Sequence, residues 1–101
     1  MRITFTQSGG FVGAVSGCLI DTAELTPADR REAEDLVAAS GFTESFERFS
    51  PSGRDRRQYE IRIEGDASPL TVVCDESSLP EAARPLIAFL TARARPRRPD
   101  A

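Results

Sequence analysis

The chain has 101 residues, a net charge of −3, and hydrophobic and charged fractions of 40% and 29%, the composition of a single globular domain with one core and no room for a second. All thirteen basic residues are arginine and histidine is absent, which removes the imidazole general base, the commonest zinc ligand, the Schiff-base amine and the phosphate-loop lysine. No apolar run approaches the roughly 20 residues of a membrane span, and the alternating amino-terminal residues lack the apolar stretch of a secretory signal, so a cytoplasmic location is expected.

Residues 2 to 7 place Ile3 and Phe5 on one face and Arg2, Thr4 and Thr6 on the other, the period-two pattern of a half-buried strand. A glycine-rich tip follows, Ser8-Gly9-Gly10-Phe11-Val12-Gly13. Gly9, Gly10 and Gly13 permit the positive φ angles of a tight hairpin, while a large apolar residue at the apex adds nothing to hairpin stability. Phe11 is therefore either offered to a partner's pocket or folded back over the end of the sheet. Residues 14 to 21 pair back as a second strand, with Cys18 and Ile20 facing the core. Val15 and Leu19 offer a competing register one residue out of phase, and Gly17 marks a bulge position.

Thr26-Pro27-Ala28-Asp29 combines an N-cap threonine, proline at the first helical position and an acidic residue three after the cap. The helix it starts runs to about Ser40, buries Ala33, Leu36, Val37 and Ser40, and stops at Gly41. From Phe42 to Arg57 no period holds, which predicts a long irregular loop pinned by Phe42 and Phe46, with Phe49 outside and Arg54, Arg56 and Arg57 clustered at its end. Tyr59, Ile61 and Ile63 alternate with charged residues in the clearest strand of the chain. After the Gly65-Asp66-Ala67-Ser68 turn, Leu70, Val72 and Cys74 face inward and Thr71, Val73 and Asp75 outward. The last helix spans about Pro80 to Arg93, with Ala83, Leu86, Ile87, Leu90 and Ala94 along its core stripe and Pro85 splitting off the first turn. The expected fold is α+β, a four-stranded antiparallel sheet with two helices on one face in the order ββαββα. Residues 1–94 form the domain and 95–101, with Arg95, Arg97 and Arg98 interrupted by Pro96 and Pro99, a flexible basic tail.

No catalytic constellation emerges. No carboxylate pair sits in an apolar setting that would split two pKa values, and Gly9-Gly10-x-x-Gly13 joins two strands instead of opening a helix, unlike a dinucleotide fingerprint. Ser8 has no activating base. Cys18 and Cys74 read as reduced core fillers without a metal. The arginine clusters leave open a nucleic-acid-binding or regulatory interaction domain as an alternative, although no aromatic residues interleave them.

Ile3 to Gly13, followed by Ile20-Asp21-Thr22-Ala23-Glu24-Leu25 and by Leu79-Pro80-Glu81-Ala82-Ala83-Arg84-Pro85-Leu86, resembles the emfourin family across nearly the whole chain. Where this chain has Gln7, that family often carries a basic residue. The resemblance implies a small bacterial cytoplasmic protein, not an enzyme and without cofactor, that inhibits a thermolysin-like zinc metalloprotease. Such proteases have a large apolar specificity pocket beside the zinc, and the Gly10-Phe11 junction is the kind of sequence that pocket accepts. The expected partner-binding residues are Ser8, Gly9, Gly10, Phe11, Val12 and Gly13. Asp66 joins them if the strands pair in chain order, which brings the 65-to-68 turn to the same end of the sheet as the tip. The free protein is expected to be a monomer that binds neither nucleic acid nor membrane.

Overall fold

The computed structural model describes residues 1–9, 15–51, 57–65 and 68–97. Strands β1 (Arg2–Ser8), β2 (Val15–Asp21), β3 (Phe46–Arg48), β4 (Gln58–Glu64), β5 (Leu70–Asp75) and β6 (Arg95–Arg97) form one sheet in the order β3-β5-β4-β1-β2-β6. Helix α1 (Pro27–Ala39) lies between β2 and β3, and α2 (Arg84–Arg93) between β5 and β6. The architecture is α+β, as expected, but the sheet is mixed and has six strands instead of four antiparallel ones.

Both added strands are three residues long. β3 pairs parallel with β5, Phe46 opposite Val72 and Arg48 opposite Cys74, so part of the expected irregular loop is an edge strand. β6 pairs antiparallel with β2, Arg95 opposite Gly17 and Arg97 opposite Val15. The start of the presumed tail is thus held by the otherwise open edge of β2. Pro96 is tolerated there because an edge strand leaves one side of its backbone without ladder partners.

The strand order also departs from chain order. β1 lies between β2 and β4 and is antiparallel to both, so β2 and β4 run parallel with β1 between them. The segment joining them carries α1, a connection that returns the chain to the end from which β2 started.

The registers line up inward-facing rows across the sheet. Ile20, Ile3, Ile63 and Leu70 form one, and Cys18, Phe5, Ile61, Val72 and Phe46 the next. Ile3, Phe5, Ile61 and Val72 are wholly buried and Leu70 packs partly against them. The helices close this face with Ala33 from α1 and with Leu86, Ile87, Phe89 and Leu90 from α2. In β2, Ile20 is 6% exposed and Leu19 60%, which settles the phase in favour of Cys18 and Ile20 inward.

The local signals hold where expected. Thr26 Oγ1 accepts from the Asp29 amide at 3.2 Å with Pro27 next in the chain, and Gly41 ends the α1 segment at φ +80, a backbone conformation that an L side chain resists. Pro85 stands in the first turn of α2, preceded by a separate 3-10 turn at Glu81–Ala83. Phe42 is buried and meets Phe46 edge-on at 5.9 Å between centroids, while Phe49 is 42% exposed. Among the described residues no helix is long and apolar enough to cross a membrane.

Candidate functional site at the hairpin end of the sheet

The Ser8-to-Gly13 segment leaves the sheet from β1 and returns on β2. Gly10, Phe11, Val12 and Gly13 lie outside the described residues, and the two strands fix where the segment begins and ends. β1 is bonded on both sides, to β2 through Gln7 opposite Ser16 and to β4 through Ser8 opposite Gln58. The mount is a central strand, whose ladder is satisfied on both edges and which therefore resists fraying. Ser8 is half-buried at its end. Gly9 turns out of the strand at φ +93, a value that a residue with a Cβ adopts only at a cost, so the glycine that opens the tip is required by its backbone.

Beneath the tip the inward row reads Ser16, Gln7, Tyr59, Cys74 and Arg48. Gln7 Nε2 donates to Ser16 Oγ at 3.4 Å, while Gln7 Oε1 is buried without a hydrogen-bond partner among the described residues. Tyr59 stacks on Phe5 at 6.1 Å between centroids. Burial, and after it the negative charge of Glu76, pushes the Tyr59 phenol above its ordinary pKa, keeping it neutral. Burial and neighbouring Asp75 likewise push the Cys74 thiol up, so this thiol is a poor nucleophile. Cys18 and Cys74 are not joined in a disulfide; they lie on strands separated by β1 and β4, and Cys18 Sγ donates to the Leu90 carbonyl at 3.7 Å. Among the described residues no cluster of acidic or cysteine side chains could hold a metal ion.

Asp75 departs most from the sequence expectation. Strand alternation points it outward, yet it is 1% exposed. Its carboxylate accepts from the Ser50 amide at 2.8 Å, the Ser50 hydroxyl at 2.7 Å and the Ser78 amide at 2.9 Å. These bonds, led by the Ser50 hydroxyl, lower its pKa from 3.8 to about 2, because each donor stabilises the charged form. Next to it the Glu76 amide donates to the Arg57 carbonyl at 2.9 Å. The segment from Ser50 to Arg57 is therefore tied at both ends to the close of β5, at the same end of the sheet as the tip. Sequence reasoning missed this clamp, although Asp75-Glu76-Ser77-Ser78 carries the Asp-then-backbone-amide pattern of a cap.

The geometric ground for Asp66 is overturned. Asp66 lies outside the described residues, but β4 is antiparallel to β1, with Glu64 opposite Arg2. The turn that follows Glu64 therefore leaves the sheet about 20 Å, one strand length, from the end that carries the tip. Ser8 and Gly9 are brought to the tip end and the 65-to-68 turn is not.

No curated protein and no solved structure matches the chain. The Emfourin family model matches residues 5–91, a span that takes in the second half of β1, the tip, the clamp and most of α2. The chain therefore belongs to the Emfourin family, a family of metalloprotease inhibitors.

Proposed function

We propose that the chain inhibits a thermolysin-like zinc metalloprotease by inserting the Ser8-to-Gly13 tip into the active-site cleft, with Phe11 in the apolar specificity pocket and Gly10 and Val12 beside it. The observation that carries this reading is the mount of the tip. A glycine-rich segment with a phenylalanine at its centre is held between the paired strands β1 and β2, and β1 is locked on its other side by β4. Fixed ends lower the ordering entropy lost on binding, and one aromatic anchor entering a pocket supplies most of the affinity of a small interface. Gly9, Gly10 and Gly13 add no side chains beside Phe11 and Val12, which suits a narrow cleft. The inhibitor works by occupying the substrate's place. Its site of action is the cytoplasm, and it binds as a monomer.

Titrating purified protein against a panel of thermolysin-like proteases, with hydrolysis of a chromogenic peptide as readout, tests this. Inhibition that competes with the peptide is expected from at least one member. Absence of inhibition across the panel at micromolar concentration refutes it.

A further inference from the structure

Among the described residues two large apolar side chains are exposed, Leu19 at 60% and Phe49 at 42%. A single exposed apolar residue is ordinary on a protein surface, and Leu19 is such a case, level with Thr4 in the middle of the sheet face that points away from the helices. Phe49 differs in its place and in its mount. The registers set Ser8 level with Gln58, Gln58 with Asp75, and Cys74 with Arg48. The residue after Arg48 therefore stands in the same row as Ser8, at the end of the sheet that carries the tip. Three strand spacings of about 4.8 Å put it about 14 Å from the root of the tip.

The backbone of Phe49 is fixed on both sides. Before it, β3 is paired to β5, and Phe46 lies edge-on to buried Phe42. After it, Ser50 donates its amide and its hydroxyl to Asp75, a carboxylate that is 1% exposed. Burying a charge is costly unless its oxygens are bonded, and the residue next to Phe49 supplies two of the three donors that bond this one among the described residues. The chain thus uses a buried charge to hold Phe49 at a set position and leaves its ring accessible. The exposed charges described at this end balance, Arg48, Arg57 and Arg95 against Glu47, Glu60 and Glu76. No sign prevails among them, and what sets this flank apart is apolar.

We infer that Phe49 is a second apolar anchor of the inhibitory surface, and that the metalloprotease which takes the tip offers it an apolar recess on one rim of its cleft. The inference rests on the inhibitory reading above and adds a specificity-determining contact outside the cleft. A specific interface takes about 800 Å² of each partner, a disc on the order of 16 Å in radius. Centred on the root of the tip and facing the partner, such a disc takes in Phe49 near its edge. Leu19, four residues back along β2 from Val15, is set about 14 Å behind that end of the sheet and away from the partner. Because the backbone on both sides of Phe49 is already ordered, docking costs its ring little freedom. A contact near the edge of an interface contributes less than a central anchor, so Phe49 tunes which protease is held and the tip supplies most of the affinity.

The test is inhibition of whichever panel protease wild type inhibits, comparing wild type with Phe49→Ala, Phe49→Gln and Leu19→Ala, each shown by circular dichroism to be folded at the assay temperature. Phe49→Gln keeps the inner part of the side chain and makes only its outer part polar, so it serves if alanine impairs folding. Both Phe49 variants are expected to raise the inhibition constant at least ~5-fold, with most of the change in the dissociation rate, while Leu19→Ala changes it less than ~2-fold. A change below ~5-fold in the folded Phe49 variants, with wild type inhibiting, overturns this inference and leaves the inhibitory reading standing. So does an equal loss in Leu19→Ala, which would mark a general effect of exposed apolar residues. Failure of wild type to inhibit any panel member overturns the inhibitory reading, and this inference with it.

Discussion

Leu19 and Ile20 are adjacent, similar in size and on opposite faces of β2, with exposures of 60% and 6%. Truncating each to alanine isolates the effect of face. Ile20→Ala removes three carbons from a buried row that includes Ile3 and Ile63. At ~0.8 kcal/mol per methylene the transfer loss is ~2.4 kcal/mol, and the cavity left behind brings the total to ~3 to 4 kcal/mol. For a domain of this size each kcal/mol shifts Tm by ~4 to 8 °C, so a fall of at least ~12 °C is expected. Leu19→Ala removes a solvated side chain and is expected to cost less than ~0.5 kcal/mol. Thermal and urea unfolding followed by circular dichroism at neutral pH measure both. Equal costs, or a larger cost for Leu19, would mean that β2 is slipped by one residue, with Val15 and Leu19 inward. The returning strand of the tip would then be displaced by the same step, and the geometry assigned to the site would fall with it.

The Asp75 clamp carries a pH signature. With its pKa lowered from 3.8 to about 2, its contribution is fully present above the unfolded value and is lost as pH falls through the folded one. Asp75→Asn should be less stable than wild type at neutral pH, with the gap closing between about pH 4 and pH 2; a gap that stays constant down to pH 2 would show that the charge is irrelevant. The two cysteines should differ in native alkylation followed by mass spectrometry, half-buried Cys18 reacting before buried Cys74 and both reacting after denaturation. A native mass short by two hydrogens, with neither thiol modifiable, would contradict reduced cysteines.

Most of the fold was legible because long elements carry a period. β1, β4 and β5 show period-two alternation over six or seven residues, and α1 carries its cap, its proline and its terminating glycine in the letters themselves. β3 and β6 were not legible. Three residues hold too little alternation to read, and Arg95-Pro96-Arg97 has the composition of a tail; it becomes a strand because β2 offers an unpaired edge. Asp75 was misplaced because alternation knows only the two faces of a sheet and not a neighbouring segment, here Ser50, that covers the end of one strand. The ground for including Asp66 failed on strand order, a property of how the α1 crossover spans β1 that no local pattern encodes. The tip was the opposite case. Its phenylalanine stands out because it serves no need of the hairpin, and Gly9, at φ +93, shows why a glycine opens it.

The most direct measurement is inhibition by Phe11→Ala alongside its melting temperature. If Phe11 is the anchor, Tm stays within a few degrees of wild type while inhibition of the cognate protease weakens by ~2 kcal/mol, about 30-fold, or more. If Phe11 instead packs on the sheet end, alanine costs ~3 kcal/mol or more of stability and any loss of inhibition tracks unfolding. That pattern, or undiminished inhibition by a stably folded variant, contradicts the account.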